Sequence, residues 1–185
     1  MRSEARISYP PSRFQVSRLI PYSLVGGPVA KFSDAIISIR PHFAEAILSE
    51  KKTVELRRRI PPIEVGTRLW IYATRPTGAI VGVATIDTIF RGTPQAVWET
   101  YLDRIAISRS DFDRYFAGAR EAIGIRLSKV QRVQPIGIEQ LRVWKDGFHP
   151  PQVLAGITAS EAKRLLQMSS FEEDQSSNVV RLLRA

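Results

Sequence analysis

The sequence contains no cysteine and only two histidines, His42 and His149. Without cysteine there can be no disulfide bond, thiolate metal site or cysteine nucleophile. The two histidines lie far apart and in no spacing that is typical of paired metal ligands, so we expect neither a metal nor a cofactor. The sequence also lacks a Gly-x-Ser-x-Gly elbow and a Walker loop, which argues against a serine hydrolase and a P-loop NTPase.

Long apolar runs are absent as well. No stretch approaches the roughly 18 residues of a membrane span, and the first residues show no apolar segment followed by a cleavage site. Together with the absence of cysteine, this predicts a cytoplasmic protein that does not associate with a membrane. The sequence leaves the oligomeric state open.

Positive charge, in contrast, is abundant. The chain has 27 Lys and Arg against 18 Asp and Glu, a formal net charge of +9 at pH 7. Such a balance attracts polyanions, so nucleic acid is the first partner to consider. Between Arg40 and Arg75 the excess is concentrated, because eight basic residues stand there against four glutamates. We expect a nucleic-acid interface in this segment, the alternative being an ordinary solvated basic surface.

Proline, glycine and polar residues divide the chain into three predicted parts. Residues 1–34 contain four prolines and a Gly-Gly pair, which break both helical and strand periodicity and predict a basic N-terminal arm. Residues 35–157 carry alternating strand and helix patterns and are predicted to form one domain. In residues 158–185 we expect a helix, capped by Thr158 and reaching Met168, and then a polar tail.

The predicted domain is of the α+β class. A β-branched run, Ala35–Ile39, predicts a strand that stops at Pro41, and a short amphipathic helix follows to Glu50. Further strands are predicted at residues 53–57, 68–73, 79–89 and 121–133, with a pair of helices within residues 93–118. The segment 136–144 and the loop 148–152 come next, where we expect the sheet to close into a barrel. Periodic apolar positions predict core roles for Trp70, Trp98, Tyr101, Phe112, Phe116 and Trp144.

The strand at residues 53–57 alternates polar and apolar side chains. Thr53, Glu55 and Arg57 share one face, with Lys52 at the entrance, and we expect that face to be wet and charged. Lysine and arginine suit phosphate, and Tyr72 or Trp70 can stack on a base. The predicted binding residues are Arg40, Lys52, Thr53, Glu55, Arg57, Arg58, Tyr72 and Arg75. The alternative is that Glu55 only pairs with Lys52 or Arg57, and that Arg58 and Arg59 are solvated charges.

Several short motifs follow one another along the chain in an informative order. Ile37-Ser38-Ile39-Arg40-Pro41 comes first, then Ala46-Ile47-Leu48, then Lys52-Thr53-Val54-Glu55-Leu56-Arg57. This order resembles the signature of ASCH domains, which belong to the PUA-like superfamily. Later segments are similar to a subgroup of PUA-like transcriptional regulators, namely Ile71-Tyr72-Ala73-Thr74, Val81-Gly82, Trp98, residues 112–118 and Pro150-Pro151-Gln152.

The resemblance implies a small mixed β-barrel of about five to six strands with flanking helices. It also implies a protein that binds RNA or a modified nucleotide, with a regulatory role, and DNA is a second candidate partner. The alternative is a hydrolase directed at nucleic acid, since some ASCH proteins look like amidohydrolases of acylated cytidine and others are proposed ribonucleases. In that case Lys52 and Glu55 are the candidate catalytic residues.

Two positions depart from the family pattern. Glu50 stands where the family usually has glycine before the lysine, so the turn there is expected to differ and to reposition Lys52. Glu55 stands where the amidohydrolase branch has a catalytic threonine, so that branch's triad does not transfer to this chain. Lys52 stays a candidate base or nucleophile, because burial in the barrel lowers the pKa of a lysine.

Overall fold

The structure is a computed structural model that describes residues 32–169. Most of the predicted N-terminal arm and the polar tail therefore lie outside the described residues. In chain order the elements are β1 (Asp34–Ile39), α1 (Pro41–Leu48), β2 (Val54–Arg57), β3 (Arg68–Ala73), β4 (Ala79–Gly92), α2 (Pro94–Tyr101), a 3-10 turn (Leu102–Arg104), α3 (Arg109–Phe116), β5 (Ala122–Gly137), α4 (Ile138–Trp144) and β6 (Leu154–Ile157). A last helix, α5, covers residues 159–169.

The six strands form one sheet in the order β2-β5-β4-β3-β1-β6. β1 and β3 run parallel, and the other neighbouring pairs are antiparallel. The long strands β4 and β5 change register at three places, and such irregularities bend strands and increase their twist. The sheet therefore curls into a half-barrel, which confirms the predicted α+β fold with about six strands and flanking helices.

Apolar side chains cover both faces of the sheet. Ile37 and Ile39 of β1 point into one core with Ile47 of α1, whereas Ile36 points into a second core with Trp70. A third cluster packs α2 and α3 against Val54 and Leu56 of β2. The predicted core roles of the aromatic residues are confirmed, since Trp70, Tyr101, Phe112, Phe116 and Trp144 are buried and Trp98 packs half-buried against Phe112.

The helix ends follow the expected capping rules. Thr93 Oγ1 accepts a hydrogen bond from the Ala96 N–H at the start of α2, and Ser108 Oγ accepts one from Asp111 at the start of α3. Thr158 and Glu161 form the predicted reciprocal cap of α5, because each side chain accepts from the other's backbone N–H.

Three local predictions need correction. The 53–57 strand begins at Val54, and its charged face is covered rather than wet, since Glu55 is only 4% exposed. Residues 138–144 form α4 and do not close the barrel; the Gln140 side chain accepts from the Gly137 N–H and starts a helix there. The sheet instead ends on β6, an edge strand beside β1 that the sequence did not predict.

Within residues 32–169, no helix is both long enough and apolar enough to cross a membrane.

Candidate functional site

A cleft of about 760 Å³ opens beside β2. Its walls come from the end of β1, the start of α1, one side of α3 and the loop that precedes β6. The polar residues that line the cleft are Ser38, Arg40, His42, Lys52, Glu55, Arg57, Thr74, Asp111, Arg114, Tyr115 and Gln152. The fold therefore gathers segments that are far apart in sequence around the short strand that carries the predicted motif.

Lys52 lies in the wall of the cleft and is almost fully buried, at 2% exposure. Its backbone N–H donates to Ala46 O, 2.9 Å away, where the chain leaves α1. The side-chain Nζ donates to the carbonyl oxygen of Ile105 at 2.8 Å and lies 5.2 Å from the centre of the Phe43 ring. The ammonium group is thus held in place by a carbonyl and an aromatic ring.

The turn that delivers Lys52 has an unusual backbone. Glu50 adopts a positive φ of 58°, in the left-handed region that favours glycine. This is the position at which the ASCH resemblance predicts glycine. The glutamate therefore adopts the glycine-type conformation, and Lys52 still reaches the wall of the cleft.

Burial shifts the protonation of Lys52. Removal from water lowers the pKa of its ammonium group below the ordinary value, whereas the neighbouring carboxylate of Glu55 opposes that shift. The positive charge of Arg57 acts in the same direction as burial. Lys52 consequently loses its proton more readily than a solvated lysine does.

Glu55 links two cations in this wall. Its Oε2 lies 3.5 Å from Lys52 Nζ, and its Oε1 accepts a hydrogen bond from Arg57 Nη1. Arg57 Nη2 donates to the backbone oxygen of Ser38 at 2.8 Å. The sequence posed a choice between an ion-pair network and a ligand-facing strand. The structure shows the ion-pair network, which lies in the lining of the cleft, and a role of these residues in ligand binding stays a prediction.

Two polar atoms in the same wall have no protein partner. Among the described residues, Arg57 Nε and Ser38 Oγ are the buried side-chain nitrogen and oxygen atoms without a hydrogen bond. Unpaired buried polar atoms are uncommon, because each carries the cost of desolvation. Both belong to residues that line the cleft, but the two atoms themselves are covered by protein.

Helix α3 supplies another part of the lining. Tyr115 is 38% exposed, and its hydroxyl donates to the Leu56 oxygen at 3.5 Å. Arg114 pairs with Asp111 at 2.8 Å. The sequence did not single out these residues, or Ser38 and His42, as site residues. Alternation within one strand gives no information on which distant helix faces that strand, although Ser38 does fall within the Ile37–Pro41 motif.

The structure brings four of the eight predicted binding residues together in the cleft: Arg40, Lys52, Glu55 and Arg57. The other four lie outside its lining. Tyr72 is 4% exposed and packs in the second core, with its ring centre 6.5 Å from that of Phe148. Arg58 lines a separate hollow, Arg75 is exposed, and the Thr53 backbone bonds to Arg104 and Leu127. A binding role for these four stays a prediction.

Comparison with known proteins identifies relatives over most of this domain. The family model described as "Domain of unknown function (DUF365)" matches residues 34–143. A protein of Zymomonas mobilis named "ASCH domain-containing ribonuclease" is 38% identical over 140 residues, which cover 76% of this chain and 95% of that protein.

Solved structures agree with this match. The crystal structure of ASCH from Zymomonas mobilis superposes with a TM-score of 0.72 at 37% identity, and the match covers 74% of this chain and 96% of that one. A hypothetical protein from Leishmania major, with a TM-score of 0.50 and 11% identity over 76% of this chain and 96% of its own, shares the fold alone.

The curled half-barrel with a charged cleft beside its second strand is thus a mixed α+β domain with the fold of the Zymomonas ASCH structure. Within that class, the chain belongs to the ASCH-domain family. The finer resemblance to a subgroup of transcriptional regulators stays a prediction.

Proposed function

We propose that this protein binds single-stranded RNA and takes one nucleotide of it into the cleft beside β2. The observation that carries the proposal is the set of four basic side chains that line this cleft. Guanidinium and ammonium groups bind phosphate oxygens through charge-assisted hydrogen bonds.

Charge and size support the same ligand. Four basic side chains line the cleft, Arg40, Lys52, Arg57 and Arg114, against the two carboxylates of Glu55 and Asp111. The net positive lining favours an anion. A volume of about 760 Å³ falls within the range of small-molecule pockets and is large enough for a nucleotide.

The apolar part of the lining suits an unstacked base. Tyr115 on α3 faces the cleft from one side, and Pro150 and Pro151 line it from the loop before β6. Aromatic side chains stack on the bases of single strands, whose bases are free of pairing partners. The ribonuclease name of the Zymomonas relative favours RNA over DNA as the strand that is bound.

A second function, cleavage of the bound RNA, is favoured by the name of that relative and by the lowered pKa of Lys52. In this reaction the ribose 2′-oxygen attacks the adjacent phosphorus, and Lys52 in its neutral form takes the 2′-hydroxyl proton. The bond from phosphorus to the 5′-oxygen breaks, and the leaving oxygen takes a proton, for which His42 is the candidate donor. The products are a 2′,3′-cyclic phosphate and a 5′-hydroxyl, so no further reactant is consumed.

The binding proposal is tested by fluorescence anisotropy with a labelled RNA trinucleotide, the matching DNA, and acylated cytidine as a modified nucleoside. We expect Arg57→Gln to weaken RNA binding by about 1–3 kcal/mol. Arg40→Gln, which removes an exposed cation of the lining, should weaken it by a similar amount. Arg164→Gln, at an exposed arginine of α5 outside the cleft, is the matched control. RNA binding that is unchanged in both cleft variants, with folding confirmed by circular dichroism, contradicts the proposal.

Cleavage is tested on the same RNA at saturating protein. Formation of cyclic phosphate ends by the wild type, and its loss in Lys52→Met with RNA binding retained, supports catalysis. RNA that stays intact leaves the protein as a binder alone. Acylated cytidine that is hydrolysed while RNA stays intact would favour the amidohydrolase alternative.

A further inference from the structure

The register of the sheet gathers arginines at the end of β2. Arg57 of β2 lies opposite Ile123 of β5, and Arg91 of β4 lies on the other side of the same Ile123. Because β2 and β5 are antiparallel, the residues that follow Arg57 and those that precede Ile123 leave the sheet side by side. Arg58 and Arg59 are thereby placed next to the 120–121 segment.

These residues line a second hollow, of about 500 Å³, which we call the arginine groove and define by Arg58, Arg59 and Arg120. All three side chains are exposed. Glu121 is the acidic residue in the lining. Its Oε2 lies 3.4 Å from Nη1 of Arg91, a further cation. Within residues 32–169, Arg59 and Arg120 have no hydrogen-bond or ion-pair partner. The groove therefore holds more positive charge than the protein itself neutralises.

The groove is connected to residues of the cleft by the course of the chain and by a hydrogen bond. Arg57, which lines the cleft, is followed directly by Arg58, which lines the groove. Arg58 Nη2 donates to the Ala117 oxygen at 3.2 Å, just past the end of α3. The same helix carries Arg114 and Tyr115 in the cleft wall. The two hollows are thus lined by consecutive residues, Arg57 and Arg58.

We infer that the arginine groove is a second binding site, which holds backbone phosphates of the RNA that flanks the nucleotide in the cleft. The inference rests on the proposed function. Guanidinium groups bind phosphate oxygens in a fork, and contacts of this kind position a strand without reading its sequence. RNA is favoured over an acidic peptide because Arg58 in the groove directly follows Arg57 in the cleft, and because Ala119 is the apolar residue in the lining of the groove.

The test compares an RNA trinucleotide with a twelve-nucleotide RNA of the same base, in wild type and in the double variant Arg59→Gln/Arg120→Gln. We expect the trinucleotide to bind equally well to both proteins. The longer RNA should bind about tenfold more weakly to the double variant. For two lost phosphate contacts, the slope of log affinity against log salt should decrease by about 1.4. The control is Lys163→Gln/Arg164→Gln, which removes the same charge at exposed positions of α5.

Each of the other possible outcomes either supports or contradicts RNA binding in the groove. An unchanged affinity of the double variant for the longer RNA contradicts RNA binding in the arginine groove. In that case the proposed function still stands if the trinucleotide binds. An equal loss of RNA affinity in the control variant also contradicts binding in the groove, because the overall positive charge of the protein then explains the effect. If the trinucleotide fails to bind wild type while the longer RNA still depends on Arg59 and Arg120, the groove stands and the cleft proposal fails. Displacement of the longer RNA by an equimolar glutamate peptide overturns RNA as the occupant.

Discussion

Lys52 Nζ lies 3.5 Å from Glu55 Oε2, and the two side chains are only 3% and 6% exposed. The same carboxylate accepts a hydrogen bond from Arg57, so one buried anion holds two cations. Breaking a buried pair by removing one partner leaves an uncompensated charge, which costs far more than the loss of an exposed pair. The three residues therefore contribute to folding as well as to the cleft.

Substitutions in this network should destabilise the fold unequally. We expect Glu55→Gln to lower the free energy of unfolding by about 3–5 kcal/mol, because Lys52 and Arg57 are then left as buried like charges. Lys52→Met should cost less, since Arg57 still neutralises Glu55. Urea denaturation at pH 7 measures both. A larger loss in Lys52→Met than in Glu55→Gln would contradict this account of the network.

The lowered pKa of Lys52 predicts a pH dependence of stability. In the unfolded chain this lysine titrates near 10.5, and in the folded protein it titrates below that value. Between the two values the unfolded chain binds the proton more strongly, so the free energy of unfolding rises with pH. We expect the stability of wild type relative to Lys52→Met to increase as the pH rises towards 10.5, and to level off above it.

Comparing wild type with Lys52→Met cancels the effect of the other titrating groups on the free energy of unfolding. Burial raises the pKa of Tyr72 and of Tyr101 above 10.0, which acts in the opposite direction near that pH. Both tyrosines are present in both proteins, so their effects cancel in the difference. A stability difference that stays constant from pH 7 to pH 10.5 would show that Lys52 titrates alike in the folded and unfolded chains.

Glu50 offers a separate test of backbone strain. Its φ of 58° carries a cost of about 1–2 kcal/mol for a residue with a Cβ, which glycine avoids. Glycine also increases the entropy of the unfolded chain, which offsets part of the gain. We expect Glu50→Gly to raise the free energy of unfolding by about 0.5–1 kcal/mol. Glu50→Ala removes the same charge but keeps the strain, so it should show no gain in thermal or urea denaturation.

Strand alternation predicted the local arrangement of the site and missed its surroundings. The polar positions of residues 53–57 correctly place Glu55 and Arg57 on one face, because a period of two is a property of the strand itself. Their burial depends on α1, α3 and the loop before β6, whose approach is fixed by tertiary packing. The sequence therefore suggested a wet face where the structure has a lined cleft.

The same limit explains the missed elements near the end of the domain. A short apolar stretch such as Ile136–Trp144 fits a strand or a helix equally well, and the cap at Gly137 decides for a helix after residue 137. β6 has four residues, one of them a glycine, and carries too little pattern to be predicted. Its pairing with β1 is what makes it a strand.

Tyr72 was predicted to bind a base but does not line the cleft, whereas Tyr115 was not predicted and does line it. The sequence put forward Tyr72 as a platform for a base, but its ring is buried in the second core, whereas Tyr115 lines the cleft and is 38% exposed. We expect Tyr72→Ala to cost about 3–5 kcal/mol of stability, as for other large aromatic residues in cores. RNA affinity of the folded Tyr72 variant should stay within about twofold of wild type, because the ring does not line the cleft.

Tyr115→Ala should show the reverse behaviour. Loss of a stacking ring should weaken binding of the RNA trinucleotide by about 1–3 kcal/mol, while stability changes little because the side chain is partly solvated. Tyr115→Phe keeps the ring and removes only the long hydrogen bond to Leu56, so it should bind RNA nearly as well as wild type. Anisotropy titrations at a temperature where all variants are folded decide between the two tyrosines. A larger loss of RNA affinity in Tyr72→Ala than in Tyr115→Ala would place the base on the opposite face of the sheet, at the second core.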